Sequence, residues 1–411
     1  MKISMDKLCI VFSNAFDFIE KEQLGATEYH SMRVAALCAK IAKYLGYKEE
    51  AIAGIATCAL FHDNALTEYH LSLTDSPERG RNMRLHCEKG QENISWLPFA
   101  SSVDGFILYH HERGNGSGPF KKKEGEYPFE AALIAAVDAV DVDYKLQNIS
   151  KDELENLKAE VKEYANEYST EKAVDVFLEV LDYDVLESLR NENIRKTLDD
   201  TFPKWEIDVD NHGVLYAADF LSHVIDYKSE FTRVHTSQIA NRAWVMANHY
   251  GYDEKEKAGL FLACSLHDIG KVAIPIDILE KPGRLNDEEF QIIQNHIGQT
   301  YTMLSNIPNF EPLLSWASNH HEKLNGKGYP QKKVSDELDF NSRLVACLDI
   351  YQAVCEPRPY HDARTHEQTM EILYDMASKE QVDSDIVKDL DEVMAIYSMK
   401  EIPSPIDHTL S

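Results

Sequence analysis

Seventeen histidines stand in a chain of 411 residues, and ten of them recur at matched intervals. His30 and His62 are 32 residues apart, as are His235 and His267. An aspartate follows the second member each time, Asp63 and Asp268. His86 lies 24 residues before the pair His110–His111, and His296 lies 24 before His320–His321. Each pair precedes a glutamate, Glu112 or Glu322, and Asp138 and Asp349 follow 28 and 29 residues after the first histidine of the pair. Gly46-Tyr47 matches Gly251-Tyr252, and HHERGNGSG (110–118) matches HHEKLNGKG (320–328). A series of shared spacings this long points to an internal duplication.

Neutral imidazole and carboxylate are ligands of zinc, iron and manganese. Five histidines and two aspartates per half exceed what one tetrahedral zinc needs. They suit two octahedral ions sharing an aspartate. Neighbouring residues on a helix point about 100° apart, so His-Asp and His-His pairs can grip one cluster only at a helix end or kink. Two metals about 3.5–4 Å apart clamp a phosphodiester and hold a hydroxide that attacks phosphorus. A nearby cation then neutralises the developing charge, and Lys271, four residues after His267 in HDIGK, suits that role.

The elements that must position these groups read as helices. ATEYHSMRVAALCAKIAKYLGY and VHTSQIANRAWVMANHYGY carry apolar residues at helical spacing and end at glycine. Each is followed by a turn and a second apolar helix ending in His-Asp. EFQIIQNHIGQTYTML, FEPLLSWASNHHE and LVACLDIYQAV continue the pattern, and no alternating strand pattern appears. The stretch 145–200 is charged and helical, and its first part, without a counterpart in the second half, reads as an inserted helix with a solvated face. The boundary between halves falls in DDTFPKWEIDVDN, near residue 205.

Composition sets outer limits. With 44% hydrophobic and 27% charged residues the chain is globular rather than disordered. Its net charge of −28 and the lack of any Lys/Arg-rich run argue against binding long nucleic acids, and equally against an anionic membrane surface. No 18-residue apolar stretch or signal sequence is present, so no membrane partner and a cytoplasmic location are expected. Seven cysteines without CxxC spacing read as buried free thiols.

HDIGK (267–271), His296, HHEKLNGKGYP (320–330) and SRLVACLDIYQAV with RPYHDA (358–363) resemble the HD-GYP family of metal-dependent phosphohydrolases. The resemblance covers roughly residues 215–400. It implies an all-α fold of two tandem HD-type helical bundles: residues 1–205 a degenerate HD-like module with a regulatory role, and 206–411 the catalytic HD-GYP module. It implies an enzyme that hydrolyses cyclic di-GMP, 3'3'-cyclic GMP–AMP or both to a linear dinucleotide with a metal-bridging hydroxide. The implied cofactors are two divalent ions, iron or manganese. The implied ligands are His235, His267, Asp268, His296, His320, His321 and Asp349, with Asp268 as the bridge. Lys271 would contact the scissile phosphate. Gly328, Tyr329 and Pro330 would shape the substrate mouth, and Arg284, Arg343, Lys281, Lys323 and Arg358 would offer phosphate or base contacts. A homodimer or a signalling-protein partner would fit such a role.

Two departures bear on the reaction. Asn325 stands where the family has Asp before the loop's first glycine. Phe231 stands where three-metal members have Glu, and Glu230 is out of register by about 100° around a helix. Two metals rather than three are therefore expected, and a linear dinucleotide as product. The first half keeps every ligand type, as His30, His62, Asp63, His86, His110, His111 and Asp138, and so offers a second metal set. There, however, HDIGK has become HDNAL and the signature has become Gly118-Pro119-Phe120. A non-catalytic cyclic-dinucleotide receptor and a different HD-type nucleotide phosphohydrolase stand as the rival functions.

Overall fold

The computed structural model describes residues 2–24, 26–66, 77–210, 212–226, 235–281, 283–356, 363–397 and 400–406. Among them are nineteen α-helices and two three-residue strands, β1 (Lys2–Ser4) and β2 (Glu206–Asp208), which pair with each other. The protein is all-α, as its periodicity predicts. Its contacts divide it into two compact units: Ser4–Glu206, module one, and Ile207–Ser411 with Met1–Ile3, module two. No helix of the described residues is long and apolar enough to cross a membrane.

Module one begins with α1 (Met5–Leu24), α2 (His30–Tyr44), α3 (Glu49–Leu60), α4 (Pro77–Ser95) and α5 (Phe129–Tyr144). Helix α2 packs against α1, α3 and α5. Every residue from His30 to Ala39 is buried: small and apolar side chains fill most of the circumference, and His30 and Arg33 turn to the buried Asp141 carboxylate. The charged stretch that follows forms five short helices: α6 (Leu154–Glu163), α7 (Ala165–Tyr168), α8 (Glu171–Val180), α9 (Tyr183–Ser188) and α10 (Ile194–Thr201). Its first part, expected as one helix, is α6 and α7. Leu154, Leu157 and Val161 form the buried stripe of α6, and its acids and lysines face outward. Thr170 and Asp182 restart the helix by accepting backbone N–H bonds at the starts of α8 and α9.

Module two comprises α11 (His212–Asp226), α12 (His235–His249), α13 (Glu254–Leu266), α14 (Ile276–Leu279), α15 (Asp287–Leu304), α16 (Glu311–Ser318), α17 (Phe340–Cys355), α18 (His366–Ser378) and α19 (Ser384–Ala395). Capping boxes open α13 (Asp253 with Glu256) and α15 (Asn286 with Glu289). Here α12 packs on α13 and α17 as α2 packs on α3 and α5.

The repeated Gly-Tyr is one device used twice. Gly46 and Gly251 have φ of 78° and 70°. They let Tyr47 N donate to Ala42 O and Tyr252 N donate to Ala247 O, both at 3.0 Å, which closes α2 and α12 with the same reversal. Each tyrosine then reaches the start of a later helix: Tyr47 Oη donates to Glu130 of α5 (2.9 Å) and Tyr252 Oη to Asn341 of α17 (2.7 Å). The helix that opens with the first ligand histidine of each module, α2 or α12, is thereby tied to the helix that carries the last aspartate.

Candidate metal centre

In module two the seven expected ligands come from five places in the chain and converge. His235 is the first residue of α12, and Asp349 lies within α17. His296 lies within α15. His267 and Asp268 sit where α13 ends and a 3-10 turn, Ile269–Ala273, begins. His320 and His321 occupy the turn after α16. Both adjacent pairs thus fall at helix ends, where two neighbours can face one point.

The two oxygens of Asp268 look in different directions. Oδ1 faces His296 Nε2 at 3.3 Å and His320 Nε2 at 3.8 Å. Oδ2 faces His267 Nε2 at 3.3 Å and His235 Nε2 at 4.0 Å. Asp349 Oδ1 adds contacts to His235 Nε2 (3.3 Å) and His267 Nε2 (4.0 Å), and its Oδ2 lies 3.8 Å from His321 Nδ1. Two groups result, His235–His267–Asp268 and His296–His320–His321, with the ligand atoms of each within 4.8 Å of one another. A carboxylate between two such groups is what a shared ligand of two ions requires.

The rings are set in the right tautomer. Nδ1 of His267, His296 and His320 donates to the carbonyls of Cys264 (2.6 Å), Ile293 (2.6 Å) and Ala317 (2.7 Å). A carbonyl only accepts, so each Nδ1 carries the proton and each Nε2 keeps a lone pair. Those three Nε2 atoms, His235 Nε2 and Asp268 Oδ1 are buried with no hydrogen-bond partner. Buried polar atoms are ordinarily satisfied, so this set fits a bound cation. Burial pushes His296 down to about 4 and His320 well below its ordinary value, which keeps both neutral and ready to ligate. Although burial opposes ionisation of Asp268, the neighbouring His267 and Lys271 hold its carboxyl well below the usual range.

Lys271, on the 3-10 turn, pairs through Nζ with Asp268 Oδ2. The turn itself is held by Thr300 of α15, whose Oγ1 accepts from Gly270 N and donates to His267 O, both at 3.0 Å. Gly270 is required there: a Cβ would stand 2.0 Å from His296 O. The signature loop reaches the same place by another close approach, since a Cβ on Gly328 would lie 2.4 Å from Lys323 N. The buried Glu322 carboxylate accepts from Gln331 N (2.7 Å) and Lys333 N (2.9 Å), which pins the loop to the histidine pair. Tyr329 lies on His321, ring centroids 4.8 Å apart, and the Tyr329–Pro330 peptide is cis. Asn325 makes a local turn by accepting from Lys327 N and also donates to Lys379 O.

The other cations named for substrate contact have these surroundings. Arg343 donates to Asp383 at the start of α19 (2.8 Å), and Lys281 pairs with Glu289 at 2.6 Å. Arg284 is exposed before α15, and Lys323 is half-buried in the signature loop. Arg358, Phe231 and Glu230 lie outside the described residues. Sequence reasoning overlooked Thr300, the pinning role of Glu322, and Glu356, whose Oε2 accepts from His235 Nδ1 at 2.9 Å. The glutamate following each histidine pair was a usable signal for the second of these.

Module one builds the same cage. Asp63 Oδ1 faces His86 Nε2 at 3.1 Å and His110 Nε2 at 3.7 Å; its Oδ2 faces His62 Nε2 at 3.6 Å. Asp138 Oδ1 faces His30 Nε2 at 3.1 Å and His62 Nε2 at 3.6 Å. The groups His30–His62–Asp138 and Asp63–His86–His110–His111 again hold their ligand atoms within 4.8 Å. Burial pushes His110 and His111 below their ordinary values. In the place of Lys271 stands Leu66, 1% exposed.

Residues 27–143 and 219–386 each match a family model described as HD domain. The 3'3'-cGAMP-specific phosphodiesterase 1 of Vibrio cholerae serotype O1 is 27% identical over 371 residues, 87% of this chain and 85% of that protein. The cyclic di-GMP phosphodiesterase response regulator RpfG of Xanthomonas campestris pv. campestris is 32% identical over 156 residues, 38% of this chain and 41% of its own length. The crystal structure of a V. cholerae cyclic GMP-AMP-specific phosphodiesterase, V-cGAP3, shares the fold, with a TM-score of 0.65 at 18% identity over 96% of this chain and 99% of that one. With two HD-domain matches that together span more than half of its length, the chain belongs to the HD-domain proteins, and the relatives it resembles are named as cyclic-dinucleotide phosphodiesterases.

Proposed function

We propose that module two hydrolyses a cyclic dinucleotide, 3'3'-cyclic GMP–AMP or cyclic di-GMP, to a linear dinucleotide. One observation carries the reading: Asp268 spans two histidine groups and stands beside Lys271, a cation that module one lacks. His235, His267, His296, His320, His321, Asp268 and Asp349 would hold two divalent ions, iron or manganese. When bound, such a pair supplies an activated water and neutralises charge at phosphorus. Lys271 Nζ offers its protons to a phosphate oxygen as negative charge builds there. Tyr329, seated on His321, gives a flat wall against which a base can stack. The relative aligned over 87% of this chain is named for 3'3'-cGAMP, which makes that the first substrate to test.

Module one, with His30, His62, Asp63, His86, His110, His111 and Asp138, would hold metal by the same chemistry but presents Leu66 where the phosphate would meet a cation. Its role in this reading is regulatory or architectural. The test is a product assay on metal-loaded full chain with both cyclic dinucleotides, with metal content measured on the same sample. Asp268→Ala abolishes turnover, a fall of at least about 10³-fold, whereas Asp63→Ala leaves it measurable. Binding of either dinucleotide without any cleavage would instead make the chain a receptor.

A further inference from the structure

The two modules hold their first histidine by different carboxylates. In module one, His30 Nδ1 bonds to Asp141 Oδ2 at 2.7 Å, and Asp141 lies three residues after the ligand Asp138. Arg33, three residues after His30, clamps Asp141 through Nε (2.9 Å) and Nη2 (2.9 Å). Both partners are fully buried. In module two the corresponding positions are Gln238 and Gln352, so both charges of that pair have gone.

They reappear one helical turn later. Glu356, four residues beyond Gln352 at the end of α17, accepts from His235 Nδ1 at 2.9 Å. Arg242, four residues beyond Gln238 on α12, lies over the Tyr351 ring at 5.4 Å. Gln352 now serves the relocated acid, donating from Nε2 to Glu356 Oε1. Gln238 serves the relocated base, accepting from Arg242 Nη1 at 3.1 Å. Four residues are one turn of an α-helix, so each replacement projects from the same face as the residue it replaces.

We infer that Glu356 is the positioning residue for His235: it fixes the ring with Nε2 toward Asp349 and Asp268, as Asp141 fixes His30. The inference rests on the metal reading of module two. A carboxylate on the far nitrogen of a ligating histidine sets its tautomer and raises its basicity, and losing it typically costs about 10–100-fold in metal affinity. The arrangement also explains why an Asp-to-Gln change at position 352 leaves a site that still looks complete.

The test is manganese binding by full chain under chelator competition, counting only the metal that Asp268→Ala loses. Glu356→Ala should weaken that binding about 10–100-fold. Gln352→Asp added to it restores the acid one turn earlier and should recover most of the loss, which a merely structural role for Glu356 would not do. Glu356→Gln keeps the shape and the acceptor but not the charge, and should give a smaller loss; thermal melts certify that each variant is folded. Wild-type affinity in both Glu356→Ala and Glu356→Gln overturns the inference, as does a folded double variant that recovers nothing. Wild-type protein with no metal lost in Asp268→Ala overturns the metal reading and the inference together.

Discussion

Module one and module two carry the same seven residue types in the same order, yet among the described residues only module two places a lysine beside the aspartate that faces both histidine groups. The difference separates two jobs, holding a cation and meeting the charge of a substrate. A cage of histidines and aspartates needs buried, correctly turned donor atoms, and both modules have them. Stabilising a transition state needs a charge aimed at the substrate, and Leu66 offers none. A second contrast lies in the cross-over of the turn and the helix it meets. Module two uses Gly270 in the turn and Thr300 on α15; module one uses Ala65 in the turn and Gly90 on α4. Gly270 leaves room for the α15 backbone at His296 and Thr300, whereas Gly90 leaves room for the side chains of Ile107 and Asn64.

The sharpest way to break the comparison is to remove the cation. Lys271→Ala should lower kcat about 10²–10³-fold while metal content stays unchanged; a loss of metal in step with activity would mean that Lys271 merely supports Asp268. Next comes the buried pair unique to module one. Arg33→Ala strands the Asp141 carboxylate and should cost about 3–5 kcal/mol in a denaturant melt of module one, with hydrolysis by the surviving folded protein retained. A smaller effect is expected at the turn. Gly270→Ala forces α15 outward and should cost roughly 3 kcal/mol together with much of the activity, whereas Ala65→Gly should cost about 1 kcal/mol or less and spare hydrolysis. The smallest effect tests what the modules share: Tyr47→Phe and Tyr252→Phe should each cost about 1 kcal/mol, read as equal shifts in melting.

Much of the cage was legible because duplication repeats what selection keeps. His62-Asp63 and His267-Asp268 announced themselves by spacing, and helical periodicity placed them at helix ends. What escaped was set by contact rather than by order along the chain. Glu356 occupies a position with no ligand in the repeat, and only the fold shows that one turn of α17 brings it to His235. Arg343 carried the right charge for a substrate contact, but Asp383 on α19 takes its guanidinium. Thr300 looked like any polar residue on α15; its value depends on Gly270 arriving beneath it. The charged stretch before residue 200 kept its solvated face but broke into short helices, because Thr170 and Asp182 begin new ones.

The exchange of small residues between turn and helix also sets the grain at which this protein can be cut and rejoined. A chimera that moves α15 alone into module one puts Thr300 in the place of Gly90, where a Cβ would already stand 2.9 Å from Ile107 and 3.4 Å from Asn64. The reverse graft puts Gly90 in the place of Thr300 and removes the hydroxyl that holds Gly270 N and His267 O. The His-Asp turn and the helix that follows it are therefore one heritable piece. Shuffling of HD modules, in the laboratory or in a genome, should succeed when the break falls outside that piece and fail when it falls within.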